Sequence, residues 1–407
     1  MSAEIRTLTE FEIDPWIRAV RLGFLQSSTD ADVEALRPEI TTDRALGAFD
    51  GDRVVGTLRS LTTDLVVPGG ARVVTSALTN VTVSPTHRRR GLLTAMITRD
   101  LNESKQRGEV LSTLIAAEYP IYGRFGYGPA VASVELLIEA SARFRAPADD
   151  GSVELVDPAS MREQLPLVYE TARSAWPGAV SRQPRWWDVE LGLVAFPGRD
   201  NRYPRFTAVS RDPDGRLDGF VTYTTEEIWE RNRPVGILRV EDLIGLDDAA
   251  IVRLWRYCLE VDWVHQVRAF ERSVDELLPW LLADARLAFE DRRGDLLWVR
   301  VLDPAAALAG RRYLCDGSVT IEIVDPLGLA TGRFTLDGGP DGAQCQPTTR
   351  HADVVMAVDV LGAIYLGGVS LASIARGGGV EQLTLGALDR TDAMFRGQVA
   401  PWCPTTF

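Results

Sequence analysis

The stretch Val81-Thr82-Val83-Ser84-Pro85-Thr86-His87-Arg88-Arg89-Arg90-Gly91-Leu92-Leu93-Thr94 constrains this chain more than any other. A β-branched run ends in a proline turn, and Leu92, Leu93, Met96, Ile97 and Leu101 then recur at the period of an amphipathic helix. The segment reads as strand, basic loop, helix. A loop that opens a helix at a glycine presents successive backbone N–H groups at the positive end of the helix dipole, where phosphate is naturally held. Gly91 lets the main chain approach a pyrophosphate closely. The dipole disfavours three arginines at that end unless an anion offsets them. They also stand out in a chain with 44 Lys+Arg against 57 Asp+Glu, net −13. An anionic ligand at this loop is the expectation.

The same charge balance opposes a phosphate-tracking surface, so nucleic acid is not the expected partner. With 407 residues, 45% of them hydrophobic, the chain has material for two or three cores. No window approaches the ~18 to 20 apolar residues of a bilayer span, and Met1-Ser2-Ala3-Glu4-Ile5-Arg6 lacks a signal pattern. No membrane span and a cytoplasmic location are expected. Cys258, Cys315, Cys345 and Cys403 form no C-x-x-C pair and share the chain with only His87, His265 and His351, so no metal site is expected.

Three patterns follow one another. Ile5–Leu8 reads as a strand, a helix starts at Asp14-Pro15, and Ala45–Phe49, Val54–Leu58, Leu61–Val67 and Val73–Val83 form an antiparallel meander. Glu109–Ala117 and Ala132–Glu139 read as further strands, and Asp30, Asp32 and Glu34 as a solvated turn. After the break Ala146-Pro147-Ala148-Asp149-Asp150-Gly151 the order repeats: strand Val153–Val156, helix Met161–Trp176, strands Arg205–Val209, Gly219–Thr224 and Val235–Leu246, helix Asp248–Cys258. Two domains of one architecture in tandem are implied. A third pattern, from Leu302-Asp303-Pro304, mixes strands at Val319–Val324 and Arg333–Leu336 with helical segments and closes on the tail Gly397–Phe407, a segment that frays unless something docks it.

No G-x-x-x-x-G-K-[ST] is present, and Gly123-x-x-Gly126-x-Gly128 is not a dinucleotide fingerprint. Arg88-x-x-Gly91 between strand and helix resembles the acetyl-coenzyme A loop of the GNAT N-acetyltransferases, with Leu93 where most of that superfamily has Gly or Ala. Pro85-Thr86-His87-Arg88-Arg89-Arg90-Gly91-Leu92-Leu93, taken with Ile121-Tyr122-Gly123-Arg124-Phe125-Gly126-Tyr127-Gly128-Pro129-Ala130, is similar to the Eis (enhanced intracellular survival) branch, where leucine at that position is usual.

The resemblance spans the chain and implies an α+β / α/β fold: a GNAT domain over residues 1–148, a degenerate GNAT domain over 149–299, and a sterol-carrier-protein-like domain over 300–407. It implies acetyl-coenzyme A as donor and direct transfer to a primary amine, of aminoglycoside-type polyamines or lysine side chains, in a homohexamer. Carried over, Val81, Thr82 and Val83 pair with the pantetheine arm. Arg89, Arg90, Gly91, Leu92, Leu93 and Thr94 hold the pyrophosphate, and Ala117 and Glu118 lie beside the thioester. Tyr122 donates the proton to the departing thiolate, and the terminal carboxylate of Phe407 is the base. Tyr127 and Phe125 read as structural, and Cys403 as a bystander. The second domain has Gly245-Leu246-Asp247-Asp248-Ala249-Ala250 in place of the basic loop, so one coenzyme site per chain is expected. The rival reading is a non-catalytic binding module for acetyl-coenzyme A or a lipid, which needs neither Tyr122 nor a free chain end.

Overall fold

The computed structural model describes residues 3–197 and 203–407; Met1 and Ser2 of the amino-terminal stretch lie outside them. The chain divides into two compact units, one formed by residues up to Ala130 with Leu297–Gln398 and Thr406–Phe407, the other by Val131–Leu296 with Val399–Thr405.

In the first unit seven strands run in the order Glu4–Thr7, Ala45–Asp50, Arg53–Val66, Arg72–Val83, Leu111–Ile115, Leu297–Val301 and Gly128–Pro129. The first four are joined antiparallel. Arg72–Val83 and Leu111–Ile115 are parallel, which requires a crossover. The Leu92–Gln106 helix supplies it, burying Met96, Ile97 and Leu101 against Leu46, Leu58, Leu78 and Leu114.

Two irregularities open this sheet. Thr57 faces Thr82 but Arg59 faces Thr79, so two residues, Asn80 and Val81, oppose Leu58 alone. Asn80 takes φ 52°, as the extra residue of a bulge does. The Thr57 hydroxyl lies 2.8 Å from the Asn80 carbonyl and 2.7 Å from the Thr82 hydroxyl, fixing the bulge. Beyond it, Arg72–Val83 and Leu111–Ile115 pair only from Thr75/Leu111 to Leu78/Leu114 and then part.

The first unit also holds a five-stranded sheet, in the order Gly342–Pro347, Gly332–Gly339, Gly317–Val324, Val354–Ala357, Val380–Gln382. The second unit has its own seven-stranded sheet: Ala288–Asp295, Ala132–Glu139, Val264–Arg272, Gly236–Gly245, Leu217–Glu226, Arg205–Arg211 and Ser152–Val156. It too contains a single parallel pair, Gly236–Gly245 with Val264–Arg272, bridged by the Asp248–Glu260 helix. The tandem pattern of the sequence is thus a pair of similarly built sheets.

Strand pairing crosses the reading in order along the chain. Ala132–Glu139, read with the first pattern, pairs in the second sheet, and Leu297–Val301 pairs between Leu111–Ile115 and Gly128–Pro129 in the first. Asp30, Asp32 and Glu34 are not a solvated turn; they lie on the Asp30–Leu36 helix. The Asp32 amide donates to the Thr29 hydroxyl at 3.2 Å and the Thr29 amide to the Asp32 carboxylate at 2.8 Å, a reciprocal cap that starts the helix, while Val33 anchors it in a core with Trp16 and Ile17.

Candidate active site

Where the two parallel strands of the first unit part, a cleft of about 580 Å³ opens. Val81, Thr82 and Val83 form one wall, Ala117 and Glu118 the other, and the start of the Leu92–Gln106 helix its floor. The approach to that helix is built for an anion. Arg89 adopts φ 63° and Gly91 φ 81°, and no protein acceptor among the described residues takes the amides of Gly91, Leu92, Leu93 or Thr94. The helix has no side-chain cap and no acid in its first turn, so its positive end is uncompensated. A left-handed arginine costs about 1–2 kcal/mol, strain of the kind that collects at ligand sites. A Cβ on Gly91 would meet nothing within 4 Å, which leaves the space above the amides open. His87 braces the loop from beneath, its ring nitrogens 2.9 Å from the Thr86 hydroxyl and 3.1 Å from the Asp50 carboxylate.

Tyr122 ends a one-turn helix, Tyr119–Tyr122, and lines the cleft while only 8% exposed. Its ring meets Tyr127 edge-on at 6.2 Å, and its hydroxyl has no hydrogen-bond partner among the described residues. Burial, with Glu118 nearby, pushes the phenol up to about 12, so it is a fully protonated donor at neutral pH. Tyr127 is closed off, bonded to the Ser112 hydroxyl at 2.7 Å, and Phe125 is buried beside it.

Of the residues singled out from sequence, Val81, Thr82, Val83, Arg89, Gly91, Leu92, Leu93, Thr94, Ala117, Glu118 and Tyr122 line this one cleft. Arg90 does not; its guanidinium turns back to the Thr86 carbonyl at 3.1 Å and holds the loop's shape. Phe407 is half-buried and falls in the same compact unit as Tyr122. Arg88 and Arg124 line the cleft without having been picked as ligand groups, as do Gly23 and Phe24 at the end of the Ile13–Gly23 helix. An arginine in the apolar turn after Tyr122 was a readable signal for Arg124. Nothing in the sequence marks Phe24. Three arginines therefore face the cleft against one carboxylate, Glu118. The donor set, open amides plus guanidinium groups, suits a diphosphate, and the splayed strand edges suit an amide-bearing arm.

The second unit differs at the corresponding helix. Asp247 caps Asp248–Glu260 by accepting the Ala250 amide at 2.9 Å, and Asp248 adds a second acid. One of its leading amides is already taken, and its charge repels phosphate. Among the described residues no group of three or more His, Cys, Asp or Glu side chains is placed to hold a metal ion, and no helix is long and apolar enough to cross a membrane.

Comparison with known proteins matches residues 4–130 and again 178–301 to families described as acetyltransferase (GNAT) domains, and 304–404 to a sterol carrier protein domain. The chain is 42% identical over 412 residues to an uncharacterized N-acetyltransferase of Streptomyces avermitilis, covering 99% of this chain and 98% of that one. It is 35% identical over 379 residues to N-acetyltransferase Eis of Mycobacterium tuberculosis, covering 90% of each. Among solved structures, Eis1 from Mycobacterium abscessus superposes with a TM-score of 0.87 at 33% identity, covering 99% of this chain and all of that one.

Proposed function

Because this chain belongs to the Eis family of N-acetyltransferases, we propose that its first unit transfers acetyl from acetyl-coenzyme A directly to a primary amine, as found on aminoglycoside-type polyamines or lysine side chains. The observation that carries this reading is the conjunction, in one cleft, of an uncapped, acid-free helix start with a free protonated phenol. In this reading the coenzyme supplies the activated acetyl group. The amides of Gly91 to Thr94, with Arg88 and Arg89, hold its diphosphate, and the free edge of Val81–Val83 aligns the pantetheine arm. Arg90 acts on the loop and not on the ligand.

Tyr122 holds the proton that the leaving thiolate needs. With the phenol near 12 and a thiol near 8.5, proton transfer to the free thiolate would run uphill, so Tyr122 stays protonated and acts first as a hydrogen-bond donor to the negative charge developing on sulfur. The carboxylate of Phe407 takes the proton from the attacking amine. Cys403 takes no part: it is buried, bonded to the Thr405 carbonyl at 3.2 Å, and its thiol is pushed up to about 12. We assign one coenzyme site to each chain, a cytoplasmic location, and assembly as a homohexamer.

The test is thiol release from acetyl-coenzyme A with a panel of polyamines. Tyr122→Phe is expected to lower kcat by about 10²- to 10⁴-fold with coenzyme affinity kept, and one residue added after Phe407 to lower it comparably. Unchanged turnover in both variants would remove the mechanism.

A further inference from the structure

The strand pair of the second unit parts as that of the first does, and the gap is filled by the chain itself. Gly236–Gly245 and Val264–Arg272 pair in parallel only as far as Val240/Ala269, and a bulge at Glu241 separates the Thr222/Asp242 and Tyr223/Val240 partners. Into this gap comes Trp402. Its indole N–H donates to the Glu271 carbonyl at 2.7 Å, Glu271 holding φ 52°, and its amide donates to the Pro177 carbonyl at 2.8 Å. Its ring meets Trp176 edge-on at 4.6 Å and lies 4.7 Å from the Arg272 guanidinium, which in turn donates to the Leu243 carbonyl at 3.0 Å and ties the parted strands.

Three residues on, the tail is gripped again. Arg182 is fully buried, with its guanidinium 3.8 Å from the ring centres of both Tyr169 and Trp186. Nη1 donates to Asp242 at 2.6 Å, Nη2 to the Pro404 carbonyl at 2.8 Å, and Nε to the Thr405 hydroxyl at 2.8 Å. The Tyr169 hydroxyl donates to the Val180 carbonyl at 2.7 Å, so at its 3.0 Å contact with Thr405 it accepts. The direction of every proton is set: Arg182 to Thr405, Thr405 to Tyr169, Tyr169 to Val180.

We propose that the cleft of the second unit, closed to coenzyme, serves as a dock for the carboxyl-terminal tail, and that Arg182 and Thr405 are positioning residues for the Phe407 carboxylate. This rests on the reading of that carboxylate as the base. Two residues follow Thr405, so the last carboxyl lies within roughly 9 Å of an anchored Cα, where a loose tail would sweep a far larger volume. A general base works only when held at hydrogen-bond distance from the proton it takes, and displacement by about 1 Å is enough for a 10²-fold loss.

Thr405→Val removes the central hydroxyl of this relay and leaves Arg182 its bonds to Asp242 and Pro404, so the fold should be kept where Arg182→Met would strand a buried acid. Three measurements are made: release of Phe407 by carboxypeptidase A, kcat with spermidine as acceptor, and KM for acetyl-coenzyme A. The expectation is faster release and a kcat lower by about tenfold, with the coenzyme KM and the thermal melt unchanged. Unchanged release overturns the dock. Faster release with unchanged kcat, while a residue added after Phe407 still abolishes turnover, overturns the positioning role and leaves the base standing. If the extension is also harmless, the base reading is what fails, and the release rate alone decides the dock.

Discussion

Replacing Asp100 by asparagine should change the stability of the first unit by an amount that shifts in the variant's favour as pH rises. Asp100 lies on the sheet-facing side of the Leu92–Gln106 helix, 3% exposed. One carboxylate oxygen accepts from the Ser60 hydroxyl at 2.7 Å, and the other has no partner among the described residues. Burial raises this carboxyl to about 6, against the Ser60 hydrogen bond and the charges of Arg107 and Arg44, with Glu109 adding to the rise. An unfolded aspartate titrates near 3.9. Below that value both states are protonated and the group costs nothing. Between about 4 and 6 the folded chain keeps a proton that the unfolded chain has lost, so stability falls as pH rises. Above 6 the loss is complete, about 2 pK units or roughly 3 kcal/mol. At pH 5 roughly half of that has already gone. A carboxamide in this place cannot ionise, so the Asp100→Asn variant escapes this slope, whatever fixed cost an unpaired amide adds. Urea unfolding of both proteins at pH 5 and pH 8 should show the stability difference moving in favour of Asp100→Asn by about 1.5 kcal/mol at the higher pH. A difference that stays constant between the two pH values would refute the reasoning.

Two further outcomes are expected. A Cβ on Gly128 would overlap the Asp359 carbonyl and the Ala363 amide of the neighbouring Val358–Ile364 helix, whereas one on Gly123 would meet nothing within 4 Å; Gly128→Ala should cost at least about 1–3 kcal/mol and Gly123→Ala almost nothing, as thermal melts will read. Arg88→Ala with Arg89→Ala should weaken acetyl-coenzyme A binding by calorimetry and flatten its dependence on salt, while the same double change at the exposed Arg216 and Arg286, outside the cleft lining, should leave that dependence as it is.

What could be read from the residues was local. The loop at Gly91 is legible because a glycine, the start of a helical period and a run of arginines are all properties of neighbours in sequence. The tandem architecture was legible for the same reason, since each unit repeats strand and helix periods in one order. The pairing of Leu297–Val301 was not. Leu297-Trp298-Val299-Arg300-Val301 reads as any short apolar strand, and its partners, Leu111–Ile115 and Gly128–Pro129, lie far away along the chain. The capped helix at Asp30 is harder to read: Thr29-x-x-Asp32 is a cap signature, but it sits in a cluster of acids whose charge masks the hydrogen-bond geometry. The tail shows the same limit: Trp402 and Thr405 look ordinary until the indole and hydroxyl partners are known.

The turn that carries Tyr122 is held from the far end of the chain. Arg300, brought into the first sheet by Leu297–Val301, has its guanidinium beneath Gly126, where a Cβ would come within 2.5 Å of Nη1. That guanidinium pairs with Asp325 at 2.5 Å, both side chains wholly buried. Burial alone would raise the Asp325 carboxyl, but Arg300 and the amides of Ala330 and Leu327 outweigh it and hold the group below its ordinary value. Nε and Nη1 of Arg300 have no partner among the described residues, a burden of about 1–3 kcal/mol each that apolar residues of similar volume would avoid. A pair kept at such a cost fixes position more than it adds stability. Gly126 takes φ 81° over that pair, and Gly128 admits the Val358–Ile364 helix against the next strand. Gly126 and Gly128 therefore owe their places to packing against Arg300 and the Val358–Ile364 helix, while Tyr122 and Arg124 are the members of the motif that face the cleft.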